Sequence, residues 1–215
     1  MYQQQQPRPV FRVVTSAGEA EEHLRVIRQA MERSTKHSTL SGLSGIIVGL
    51  LALAGCLATQ MFIKDAPNPD WKFAFTGLWT GIMLLCFVTD FLFTKRRAAR
   101  VGKTAFSPLG KHLARAAAPG FVAGAAMTLF YVLHPEMLGS YLYGVWMLCY
   151  AASLLSVGMF SVREVSALGW AFLAAGALTL LIPPDFVFGP RAMMALTFGG
   201  FHIAYGAWMG YRYGW

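Results

Sequence analysis

Few residues in this chain are placed to do chemistry, and two stand out by their setting. Asp90 falls four residues before Thr94, about one helical turn from the end of a long hydrophobic run. His202 falls near the middle of another run, with Gly199 and Gly200 before it and Tyr205, Gly206, Trp208 and Gly210 after it. A charged side chain at bilayer depth costs about 2.5–3.5 kcal/mol on insertion scales, so such residues face the protein interior or water. Two readings of Asp90 are open. It pairs with a base such as Arg163, Arg212 or Arg115, or it serves an ion or proton pathway. Two are open for His202 as well. A neutral imidazole hydrogen-bonds across helices to Tyr150, Ser153 or Ser156, or it lines a small polar cavity and takes up a ligand, ion or proton. The candidates for ligand or ion binding are therefore His202, Asp90, Arg163 and Tyr205.

Nothing else in the sequence assembles into a catalytic constellation. There is no G-x-S-x-G, no H-E-x-x-H, no P-loop and no pair of carboxylates within one apolar segment. A bis-histidine haem needs two histidines facing each other across the macrocycle. His112 and His134 belong near opposite interfaces, and neither matches the depth of His202. His134-Pro135-Glu136 is three residues of a turn, too little for a metal site. Cys56, Cys86 and Cys149 are odd in number and far apart, so they read as small apolar fillers and not as disulfides or ligands. No catalytic residue, metal or cofactor is expected.

The elements that must position these side chains follow from composition. Of 215 residues, 56% are hydrophobic and 13% charged, with a mean hydropathy of +0.48. Soluble domains run at about 25% charged, so a disordered chain, a fibrous one and an ordinary water-soluble enzyme are all excluded. Spanning the hydrocarbon takes roughly 20 apolar residues in a helix. Six segments approach that length: residues 42–63, 73–94, 116–134, 138–160, 165–182 and 193–211. The expected fold is an all-α, polytopic membrane bundle of six transmembrane helices.

Charge sets its direction. With the N-terminus cytoplasmic, the inner side collects fifteen of the lysines and arginines, seven of them in the loop after the second segment; Lys64, Lys72 and Arg191 are left outside. That bias places both termini in the cytoplasm. It also accounts for the formal charge of +8 without a nucleic-acid partner, because the basic residues flank membrane segments, where they attract anionic headgroups. The partner is the lipid bilayer.

Residues 1–39 read as a polar cytoplasmic extension and 40–215 as the membrane domain, whose first segment acts as an uncleaved anchor. Ser16 and Glu19 have capping-box spacing. Ala20, Leu24, Ile27 and Met31 then recur at helical intervals, predicting an amphipathic helix from about Gly18 to Thr39. Ser107-Pro108 reads as the start of a helix running into the third segment, where Pro119 removes a backbone donor.

Small residues four apart recur at Gly45 and Gly49, Gly77 and Gly81, Gly120 and Gly124, and Gly206 and Gly210. In lipid, helices associate by close packing over such residues. The spacing predicts a tightly packed bundle, and one such face, on the first or last segment, is a candidate seam for a homo-oligomer or a membrane partner subunit.

Both ends of the chain resemble a family of small bacterial polytopic membrane proteins. The resemblance rests on Met31-Glu32-Arg33-Ser34-Thr35-Lys36 with Leu40-Ser41-Gly42-Leu43-Ser44-Gly45. At the other end it rests on Phe198-Gly199, His202-Ile203, Tyr205-Gly206 and Arg212-Tyr213-Gly214. It implies the bacterial inner membrane and, because genes of that family accompany a small winged-helix regulator, a regulated response; it carries over no catalytic residue. The function expected is non-enzymatic: sensing, regulation or scaffolding, as an oligomer or with a partner. A small transporter or channel is the alternative, and a haem- or quinone-linked redox protein a second one.

Overall fold

The computed structural model describes residues 18, 21–25, 42–63, 70–100, 108–183, 186 and 189–213. The chain divides into two compact units, Met1–Lys36 and His37–Trp215. In the first, residues 21–25 are helical, and the Arg25 guanidinium meets the Glu22 carboxylate at 2.8 Å. The capping pair Ser16 and Glu19 and the stretch from 26 to Thr39 lie outside the described residues.

Apart from short turns between elements, the described residues of the second unit are helical, as lipid demands. Hydrocarbon offers backbone N–H and C=O groups no partner, so each segment must satisfy them internally. In chain order the helices are α1 (Gly42–Ala58), α2 (Trp71–Arg100), α3 (Pro108–Leu133), the short α4 (Pro135–Leu138), α5 (Leu142–Gly158), α6 (Arg163–Leu181), the short α7 (Pro190–Met194) and α8 (His202–Tyr213). A π-turn at Thr59–Ile63 ends α1, and a π-segment at Ala195–Phe201 joins α7 to α8.

Local chemistry sets the boundaries. Proline opens α3, α4 and α7, where a missing N–H costs nothing. At the other end of α6, Ile182 turns extended (φ −82°, ψ 131°) because the ring of Pro183 crowds the helical region of the residue before it. Gly139, at φ +47°, is the one described residue in the left-handed region, and it closes α4.

Five helices are long and apolar enough to cross a membrane: Gly42–Ile63, Trp71–Arg97, Gly110–Leu133, Pro135–Gly158 and Arg163–Leu181. The run from Pro190 to Tyr213 is not among them. It is helical from end to end, but Thr197, the glycines, His202 and three tyrosines dilute its apolar content. Side by side, α3 packs on α5 and α5 on α6, while α1 pairs with α8 and the π-segment before it. Helix α2 leans on α1 and touches α3 lightly, leaving Met83, Leu84, Leu85, Val88 and Leu92 on an outer apolar face.

An aromatic lattice fills the centre. Phe75 lies flat against Trp146 (centroids 5.8 Å, planes 2° apart) and edge-on to Tyr131 and Tyr143. The lattice ties α2, α3 and α5 together; Phe172 against Tyr150 and Phe198 extends it to α6 and the last helix. Buried Thr59, Thr179 and Thr197 donate to the carbonyl four residues back, which removes their polar cost without an outside partner.

Candidate functional site

Small residues bring α1 and α8 to backbone contact, and that contact positions the polar side chains. A Cβ placed on Gly45 would meet the Gly206 Cα at 3.0 Å, and one on Gly49 would meet the Gly199 carbonyl at 2.6 Å. Gly42 sits against Gly206 and Gly210. Gly120 is as crowded against Cys149 and Ser153 of α5, while Gly124 has ordinary room, with Cys149 Cβ at 3.6 Å. Gly77 and Gly81 differ: a Cβ on either meets nothing within 4 Å. They have the spacing of the other pairs but take no part in packing among the described residues.

Beside the α1–α8 seam, the Ser44 hydroxyl donates to Asp90 Oδ1 at 2.9 Å, clasping α2 to α1. Neither an arginine nor a lysine pairs with Asp90 among the described residues. Arg212 instead meets Glu164 at 2.6 Å; Arg163 is exposed at the start of α6, and Arg115 is exposed on α3. The carboxylate of Asp90 lies within electrostatic range of Tyr150 and Tyr205. The Tyr205 hydroxyl is buried with no hydrogen-bond partner, and so is Thr94 Oγ1, one turn along α2 from Asp90. Asp90 thus stands among hydroxyls from three other helices and its own.

His202 is 5% exposed, and its Nε2 lies 2.8 Å from the Tyr150 hydroxyl of α5. With the proton on Nδ1, Nε2 accepts from Tyr150. Nδ1 has no partner of ordinary hydrogen-bond geometry, and the Thr197 and Phe198 carbonyls of the π-segment are the acceptors within its reach. Phe198 stacks along the imidazole (6.0 Å, 16°), and Phe172 meets it edge-on at 5.4 Å. Of the three partners open to His202 from sequence, Tyr150 is the one it meets. Ser153 donates to the Ala117 carbonyl of α3 instead, at 2.9 Å.

A second polar knot closes the end of the bundle nearest Asp90. Glu164 accepts from Arg212 at 2.6 Å and from the Tyr213 hydroxyl at 3.2 Å, while Arg97 donates to the Tyr213 carbonyl at 2.7 Å. This joins α2, α6 and α8. Sequence reasoning missed Ser44 and Glu164 as site members. Each is a polar residue at the start of an apolar helix, which is a weak signal because such positions are commonly solvated. Among the described residues no group of three histidine, cysteine, aspartate or glutamate side chains could hold a metal ion. The three cysteines are free and half-buried.

No family model, no curated protein and no solved structure matches the chain.

Proposed function

We propose that this chain is a non-enzymatic protein of the bacterial inner membrane that senses or regulates, with Asp90 and His202 as its responsive groups. In this reading the run Pro190–Tyr213 is a sixth crossing and both termini are cytoplasmic. Arg212 and Arg97 lie together at one end, consistent with the positive-inside bias. One observation carries the functional reading: the buried carboxyl of Asp90 and the buried imidazole of His202 are each held by a neutral hydroxyl from a different helix, Ser44 for Asp90 and Tyr150 for His202. A change in charge or occupancy at either group alters a joint between helices, and a packed interface turns such a change into a discrete shift. A partner subunit or a second copy would read that shift.

The alternative of a small transporter draws support from the π-segment beside His202, since interrupted helices line transport sites. Reconstitution into liposomes separates the two. Proton, sodium and potassium fluxes are followed with entrapped dyes, and in-membrane cross-linking tests for a second copy or partner. The sensing reading expects flux no greater than in protein-free vesicles, together with a cross-linked species whose yield changes in Asp90→Asn. A flux that is lost in Asp90→Asn would overturn it in favour of transport.

A further inference from the structure

The opposite end of the bundle holds a feature that neither polar knot uses. Cys56, Thr59 and Gln60 at the end of α1, Tyr143 on α5, and Arg191 with Met194 on α7 line a cavity of about 150 Å³. That is the size of an engineered pocket that accepts a benzene ring, and so enough for a phosphate or a small carboxylate. The walls are mixed. Cys56, Ala192 and Met194 are apolar, whereas Gln60 and Arg191 bring donors.

Three observations bear on what fits. In the orientation proposed above, Arg191 is an arginine at the outer end of the bundle, where positive charge is disfavoured. No described carboxylate pairs with it. Its guanidinium lies beside the hydroxyl of Tyr143, a residue only 5% exposed. The Thr59 hydroxyl is already spent on the Gly55 carbonyl, so it offers only acceptor capacity. Gln60 is exposed on the π-turn, free to bring its amide to the mouth. A guanidinium fork with a phenol beside it and an amide at the rim is a donor set for a planar or tetrahedral oxyanion, which arginine can bind through two parallel bonds.

We propose that this cavity is an oxyanion site, binding a phosphate group through Arg191, Tyr143 and Gln60. The phosphate has two sources of the same chemistry, a free anion reaching the cavity from water or the headgroup of a phospholipid in the adjoining leaflet. The π-turn at Thr59–Ile63 supplies buried Thr59 and exposed Gln60 to the lining. This inference is independent of the roles given to Asp90 and His202.

The cavity carries its own reporter, since Cys56 is a free thiol on its wall. With Cys86 and Cys149 replaced by alanine, the rate at which a methanethiosulfonate reagent modifies Cys56 measures occupancy. One arm adds inorganic phosphate to delipidated protein in a neutral detergent; the other adds phosphatidylglycerol to the same preparation. At least one addition should slow Cys56 modification several-fold, and the arm that does so identifies the source. Arg191→Gln should abolish the protection, Arg191→Lys should keep only part of it, and Tyr143→Phe should weaken it. Arg191 is exposed, so its substitution leaves the fold intact, and Lys111→Gln, exposed on α3, controls for general charge loss. Protection in neither arm, or protection reduced as much by Lys111→Gln as by Arg191→Gln, would overturn the proposal.

Discussion

Two glycines of identical motif make opposite demands, and replacing each by alanine tests the packing directly. A Cβ on Gly206 would stand 2.5 Å from the Gly42 carbonyl oxygen, 2.6 Å from the Ile46 nitrogen and 3.0 Å from the Gly45 carbonyl carbon. All three are backbone atoms, which cannot rotate away. Restoring an ordinary carbon contact of about 3.5 Å would part α1 and α8 by roughly 1 Å. The strain of inserting a methyl into a packed site is about 1–3 kcal/mol, and rigid neighbours place it near the top of that range. Alanine gives back about 1 kcal/mol of helix propensity over glycine. The net expectation for Gly206→Ala is a loss of about 2 kcal/mol, roughly thirty-fold in the folded-to-unfolded ratio. At Gly77 a methyl meets nothing within 4 Å, so Gly77→Ala should be neutral or stabilise by up to about 1 kcal/mol. Equilibrium unfolding by steric trapping in bicelles measures both. Equal effects from the two variants would refute the assignment of α1 and α8 as the close pair.

Further outcomes follow from the same contacts. Tyr150→Phe and His202→Phe, combined in a double-mutant cycle, should show a coupling of about 0.6–1.7 kcal/mol, the range of interhelical hydrogen bonds in lipid; additive effects would mean that the 2.8 Å contact contributes nothing. Arg212→Gln should cost no more than about 1 kcal/mol in the same unfolding assay, since the arginine side chain is 54% exposed; a much larger loss would show that the ion pair with Glu164 is not screened as a surface pair. Reporter fusions after residue 67 and after Trp215 should read outside and inside respectively; an external C-terminus would remove the sixth crossing.

The membrane-spanning character was plain from composition, because a long apolar run in lipid has no choice but helix. Partners were harder to read. Gly45, Gly49, Gly206 and Gly210 announce a close approach, but spacing alone does not say that they approach each other across the whole length of the chain. Gly77 and Gly81 repeat that spacing and face outward, since α2 is packed on only one side. Conversely, Gly144, Gly158, Gly169 and Gly176 join α5 to α6 without forming any G-x-x-x-G pair, because the facing helix supplies the complementary Leu180, Ser166, Leu155 and Leu148. Asp90 was legible as a buried acid. Long-range attraction favours a base as its partner, whereas it meets Ser44, a neutral hydroxyl 46 residues away. The two π-segments left no mark in the sequence, since α and π windings bury the same residue types.

The π-segment Ala195–Phe201 makes the last helix a two-part ruler with one adjustable division. Within it Gly200 has only Leu196 near the position of a missing Cβ, at 3.7 Å, so the loss of that single codon would meet no steric veto. One residue lost from a regular α-helix turns its two ends by about 100° and shortens it by about 1.5 Å. The wider winding of the π-segment already holds a residue more than an α-helix would over the same rotation, so its loss would let those positions rewind as α-helix while Arg191 and Met194 keep nearly the same direction relative to His202 and Gly206. Deletion of a single residue within those seven positions should therefore be tolerated far better than one in the middle of α5 or α6, where no wider winding absorbs it.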